Sequence, residues 1–140
     1  MVIMDVTTVK AVLKKCELFR NLEDDELDVL IANGQFKEVP RGKILYMKGE
    51  KSNDTFCAII AGRVNVVARD GHVVREVGSE EVIGEVALTD PNHIRTVTVI
   101  AKDPTELCEW NVNQIKDQIP GLWKKLLKLA WKKITSYYEE

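Results

Sequence analysis

Ile83-Gly84-Glu85-Val86-Ala87-Leu88 and, six residues later, Arg95-Thr96-Val97-Thr98-Val99 decide how this chain is read. They set a carboxylate, a short helical turn and an arginine close together, with few apolar side chains between Leu88 and Arg95. A glycine leading into a helix N-terminus offers backbone N–H donors to an anion. An arginine ten residues beyond Glu85 adds a bidentate guanidinium grip on that anion. Glu85 repels an anion, so it faces a hydroxyl, a cation or Arg95 itself. Anion donors beside one acceptor suit a sugar phosphate, with phosphate on Arg95 and the turn and a sugar hydroxyl on Glu85. The other reading of the same two residues is an ion pair that closes a loop.

Outward from this stretch the hydrophobic period is that of short strands. β-Branched runs over 36–39, 44–47, 55–60, 64–68, 73–77, 94–100 and 106–110 alternate with Gly, Pro and Asp clusters. Asp70-Gly71 reads as a hairpin turn in which both residues take positive φ. A helical turn inserted in an all-β series, between Val77 and Ile94, points to a binding site.

The ends of the chain are helical. Thr7 or Thr8 is expected to cap a helix carrying Val9, Val12 and Leu13 on one face. A second helix is expected over 24–32, with Leu27, Leu30 and Ile31 buried and Gly34 as a left-handed cap. Beyond Trp110, a short helix over 112–118 stops before Pro120. A long helix then runs to about Tyr138, with Trp123, Leu126, Leu127, Ala130, Trp131 and Ile134 as its apolar stripe.

The stretch from Ile83 resembles the phosphate-binding cassette of the cyclic nucleotide-binding domains of catabolite activator proteins, protein kinase A regulatory subunits and cyclic nucleotide-gated channels. Gly84, Glu85, Ala87, Leu88, Arg95 and Thr96 match its pattern. Ile83 stands where an aromatic is usual, and Val97 where Ala is usual on the base side. The resemblance runs from about residue 18 to 134 and takes in turn positions at Gly42, Gly49-Glu50 with Asp54, and Gly62.

It implies one domain over 1–140, mainly β with flanking helices. That domain is a double-stranded β-helix (jelly roll) over about 35–110, carrying the inserted cassette, with C-terminal helices over about 112–138. The implied ligand is cyclic AMP or cyclic GMP, with no cofactor. Ile83, Gly84, Glu85, Val86, Ala87, Leu88, Arg95, Thr96 and Val97 are the implied ligand-binding residues. Thr96 is either a hydroxyl aimed at the phosphate or a guanine amino group, or simply a strand former. Trp131, Ile134 or Tyr138 is the implied lid over the base, and the C-terminal helices repack when ligand binds.

Composition bounds the rest. The 140 residues allow a real core, and a net charge of −2 gives no global attraction to nucleic acid. No apolar run approaches the ~20 residues of a membrane span. The start of the chain lacks a signal-peptide pattern, so a cytoplasmic protein with reduced Cys16, Cys57 and Cys108 is expected. His72 and His93 lack metal-ligand spacing, which argues against a metal-dependent cupin-like enzyme. Lys124, Lys125, Lys128, Lys132 and Lys133 read as the solvated face of the last helix. The expectation is a stand-alone sensor, not an enzyme, acting on an unknown effector, with a homodimer through the last helix as a further expectation. The alternatives are an interaction module that kept the fold and lost the ligand, or the sensor part of a truncated transcription regulator.

Overall fold

The computed structural model describes residues 5–68, 70–89 and 92–138, with side chains through Lys132 apart from that of Thr89. Helix α1 (Val6–Lys15) is capped by Asp5, whose Oδ1 accepts from the Thr7 amide at 3.0 Å. The Thr8 hydroxyl donates to the same carboxylate. Both expected capping threonines therefore sit inside the helix, displaced by a stronger acceptor. Helix α2 (Asp24–Asn33) buries Leu27, Leu30 and Ile31 as its period requires.

Gly34 ends α2 for a different reason than a left-handed cap, because its φ is −82°. A Cβ at Gly34 would lie 2.3 Å from Cys108 Sγ and 2.9 Å from Trp110 Nε1. Glycine is needed there for close approach. The neighbouring indole N–H donates to the Leu30 carbonyl at 2.7 Å.

Among the described residues eight strands follow: β1 (Gln35–Val39), β2 (Ile44–Tyr46), β3 (Thr55–Ala61), β4 (Val64–Val67), β5 (Val73–Val77), β6 (Val82–Ile83), β7 (Thr98–Ala101) and β8 (Thr105–Asn111). They form two antiparallel sheets, in the orders β1-β8-β3-β6 and β2-β7-β4-β5. This is the jelly-roll layout. In the turn between β4 and β5, Gly71 takes a positive φ of +91°. The segment at Ile94 is not the start of β7. Ile94 bridges to Lys51, and the strand begins only at Thr98. Thr96 thus lies outside any regular strand.

Alternation in β3 and β8 divides the core in two. Cys57, Ile59 and Leu107 face the interior of the roll with Val39, Tyr46, Val66, Ile83 and Val99. Phe56, Ala58, Ile60, Cys108 and Trp110 face the helices. Burial on both faces explains why β3 reads as an unbroken apolar run. Trp110, at 1% exposure, sits edge-on to Phe19 at 5.4 Å.

Helices α3 (Val112–Gln118) and α4 (Pro120–Tyr138) close the helical layer. Asn111 caps α3 by accepting from the Asn113 amide at 2.9 Å. The buried stripe of α4 is Leu122, Leu126 and Ala130, so Trp123 and Leu127 are only half-buried and Trp131 is 61% exposed. The expected stripe was centred one position too far round the helix. All three cysteines are buried free thiols, each pushed up to about 12 by burial.

Candidate functional site

Strand β6 delivers the chain to Gly84, which turns at φ +92° into a single 3₁₀ segment, Glu85–Thr89. A Cβ at Gly84 would stand 2.9 Å from Arg95 Nη1 and 3.0 Å from the Tyr46 ring. Both the backbone conformation and the packing therefore exclude a side chain here. The turn packs directly against α4. The segment leading to β7 is tied to the turn after β2 rather than hanging as a loop. The Ser52 amide donates to the His93 carbonyl at 2.9 Å, and the Arg95 amide to the Glu50 carbonyl at 2.7 Å.

These two segments bring Glu85, at 1% exposure, and Arg95, at 4%, to one cavity of about 30 Å³. Of the residues expected from sequence, Ile83, Gly84, Glu85, Val86, Ala87, Arg95, Thr96 and Val97 line it. Leu88 does not. It points the other way, into the core shared with Leu122 and Leu126. Trp131 is exposed and lines no part of the cavity, and the side chains of Ile134 and Tyr138 lie outside the described residues.

Arg95 is held inward. Its Nη1 donates to the Thr55 and Gly84 carbonyls at 3.0 and 3.1 Å. Its Nη2 donates to the Ser52 carbonyl at 3.1 Å and to Thr55 Oγ1 at 2.8 Å. Two acceptors per terminal nitrogen match the two hydrogens each carries. The guanidinium carbon also lies 3.6 Å from the centroid of the Tyr46 ring. The Tyr46 hydroxyl donates to Glu109 Oε2 at 3.0 Å, and Lys37 holds the other carboxylate oxygen at 2.7 Å. Burial keeps the Tyr46 phenol well above its usual range, so it remains a donor.

Sequence reasoning missed Tyr46, Ser52 and Thr55. Each lies about forty or more residues from Arg95, and no local pattern links them. His93 is exposed but bonded: its Nδ1 lies 2.6 Å from Asp54 Oδ1. Asn113 donates to Asp54 Oδ2 at 3.2 Å, and the Val112 amide to the Asp54 carbonyl at 2.8 Å. One aspartate thus joins the cassette loop to the start of α3.

The family model for the cyclic nucleotide-binding domain matches residues 36–119, which span both sheets, the cassette and α3. The chain belongs to that family. The family is regulatory rather than catalytic. Among solved structures, the domain is similar to the regulatory domain of Toxoplasma gondii PKA crystallised with cAMP. There the TM-score is 0.74 and the identity 22%, over 85% of this chain and 46% of that one. It is also similar to a cyclic nucleotide-binding domain from Methylobacillus flagellatus, at TM-score 0.76 and 24% identity over 96% and 80% of the two chains. A third similar structure is the N-terminal domain of a Streptomyces coelicolor transcriptional regulator, at TM-score 0.70 and 26% identity over 88% and 90%. The chain thus spans about half the length of the Toxoplasma regulatory-domain chain. No curated protein matches it.

Among the described residues no helix is long and apolar enough to cross a membrane, and no group of His, Cys, Asp and Glu is placed to hold a metal ion.

Proposed function

We propose that this domain is a cytoplasmic sensor that binds cyclic AMP or cyclic GMP at the cassette cavity and reports occupancy through its C-terminal helices. The observation that carries the reading is the convergence of the buried Glu85 and Arg95 and the Gly84 turn on one cavity, with the turn itself packed on α4. In the proposed complex the cyclic phosphate takes the Arg95 guanidinium and the turn amides, and Glu85 accepts from a ribose hydroxyl. Ile83, Val86, Ala87, Thr96 and Val97 shape the remainder of the site. Leu88 contributes by fixing the turn against the helical core, not by touching ligand.

Two routes lead from the site to the helices. The cassette turn packs on α4, and the His93–Asp54–Asn113 chain reaches α3. A ligand that draws Arg95 and the turn towards its phosphate moves both, and so shifts the packing of α4. Trp131, Ile134 or Tyr138 is the proposed cover of the base once α4 has moved. The exposed Trp131, with half-buried Trp123 and Leu127, supports a homodimer through α4. An effector protein receives the signal.

A thermal shift tests the binding claim. Protein freed of co-purified ligand by unfolding and refolding, at 100 times the dissociation constant, gains roughly 2.7 kcal/mol. For a chain of 140 residues that is a rise in Tm of about 9 °C. No shift with either nucleotide at millimolar concentration refutes the reading.

The second reading, an interaction module without ligand, rests on a specific observation. The four terminal N–H groups of Arg95 already have acceptors, and the cavity has a volume of only about 30 Å³. The same thermal shift separates the two.

A further inference from the structure

The retracted position of Arg95 carries an inference that rests on the cyclic nucleotide reading and goes beyond it. We infer that Tyr46 is a positioning residue that sets ligand affinity by holding Arg95 away from the ligand's phosphate.

A phosphate needs the flat fork of the guanidinium. In this structure the fork's terminal hydrogens are taken by Ser52, Thr55 and Gly84, at the wall of the cavity that Arg95 and Tyr46 both line. The Tyr46 ring lies 3.6 Å from its centre and closes that position from the side. The ring itself is fixed. Tyr46 is 5% exposed, sits inside the roll, and its hydroxyl is anchored on Glu109, which Lys37 holds in turn. Gly84 is part of the same device, since a side chain there would meet both Arg95 and Tyr46.

A nucleotide therefore competes with an internal site for one guanidinium. If only a fraction of molecules presents Arg95 outward, the apparent dissociation constant is the intrinsic one divided by that fraction. Removing the ring raises the fraction and tightens binding. A buried ring contact with a cation corresponds to a ratio on the order of three- to thirtyfold. Thr55 contributes the one side-chain acceptor of the set, so loosening it acts in the same direction by a smaller factor.

The experiment is calorimetric titration of cyclic AMP and cyclic GMP into the refolded parent, Tyr46→Leu, Tyr46→Phe and Thr55→Val. Tyr46→Leu is expected to bind roughly three- to thirtyfold tighter than the parent. Tyr46→Phe, which restores the ring without the hydroxyl, brings affinity back towards the parental value, and Thr55→Val binds tighter than the parent. In the parent, the Arg95 side-chain proton resonances carry the ring-current shift of Tyr46 and lose it on saturation with nucleotide. Equal or weaker binding by both Tyr46→Leu and Thr55→Val overturns the proposal and leaves the nucleotide reading standing. So does a saturated parent in which the Arg95 resonances have not moved. Absence of binding by the parent and every variant instead refutes the nucleotide reading, and the proposal with it.

Discussion

Replacing Arg95 with lysine removes more than a ligand contact. The arginine is buried, and its terminal nitrogens donate to three carbonyls and one hydroxyl while the Tyr46 ring lies against it. A lysine ammonium has three donors and no planar fork, so at least one of these four acceptors loses its partner. A hydrogen bond to a charged group contributes about 1.5–3 kcal/mol, and a cation–π contact about 0.5–2 kcal/mol. With most of the remaining bonds re-formed by the ammonium, the loss is roughly 2–4 kcal/mol of stability. On 140 residues this lowers Tm by about 7–14 °C. The assay is urea unfolding followed by tryptophan fluorescence, with no nucleotide present, because buried Trp110 reports on the core. An unchanged slope with a lower midpoint is the expected pattern. The variant still folds and binds cyclic nucleotide about tenfold or more weakly than the parent. A stability change under about 0.5 kcal/mol would refute the reasoning, because the guanidinium could not then be held by the acceptors named here.

Gly84→Ala combines a strained φ of +92° with a Cβ 2.9 Å from Arg95, so it destabilises by at least about 1–3 kcal/mol and weakens nucleotide binding. Melting and titration of the same sample check both effects, and parental behaviour in both contradicts the tight packing at the turn. The hydrogen bond with His93 lowers the Asp54 pKa in the folded protein. That stability is present above the unfolded pKa of about 3.9 and is lost as pH falls through the lower folded value. The advantage of the parent over Asp54→Asn in urea midpoint therefore shrinks on acidification below about pH 4, and a difference that grows there contradicts the assignment.

Much of this was legible in the residues. Helices α3 and α4 fell where Pro120 and the 3.6-residue period put them, because breakers act locally. Strand β6 was missed because two residues carry no period. Strand β7 was extended too far because Ile94 and Arg95 look like strand residues yet pair with the turn at 50–52. Gly34 was correctly seen as the end of α2 but for a cause that resides in Trp110, far along the chain. The cassette was readable because its donors and acceptor are neighbours in sequence. The surroundings of Arg95 were not, because Tyr46, Ser52 and Thr55 reach it only through the pairing of distant strands. Trp131 looked buried by spacing alone, and only the packing of α4 shows which face turns inward.

The most direct measurement is a crystal structure of the refolded protein grown with cyclic AMP. The account predicts the cyclic phosphate within hydrogen-bonding distance of the Arg95 guanidinium and the turn amides. It also predicts a ribose hydroxyl on Glu85 and Arg95 turned away from the Tyr46 ring. Nucleotide bound elsewhere, with Arg95 still donating to the Ser52, Thr55 and Gly84 carbonyls, would contradict it.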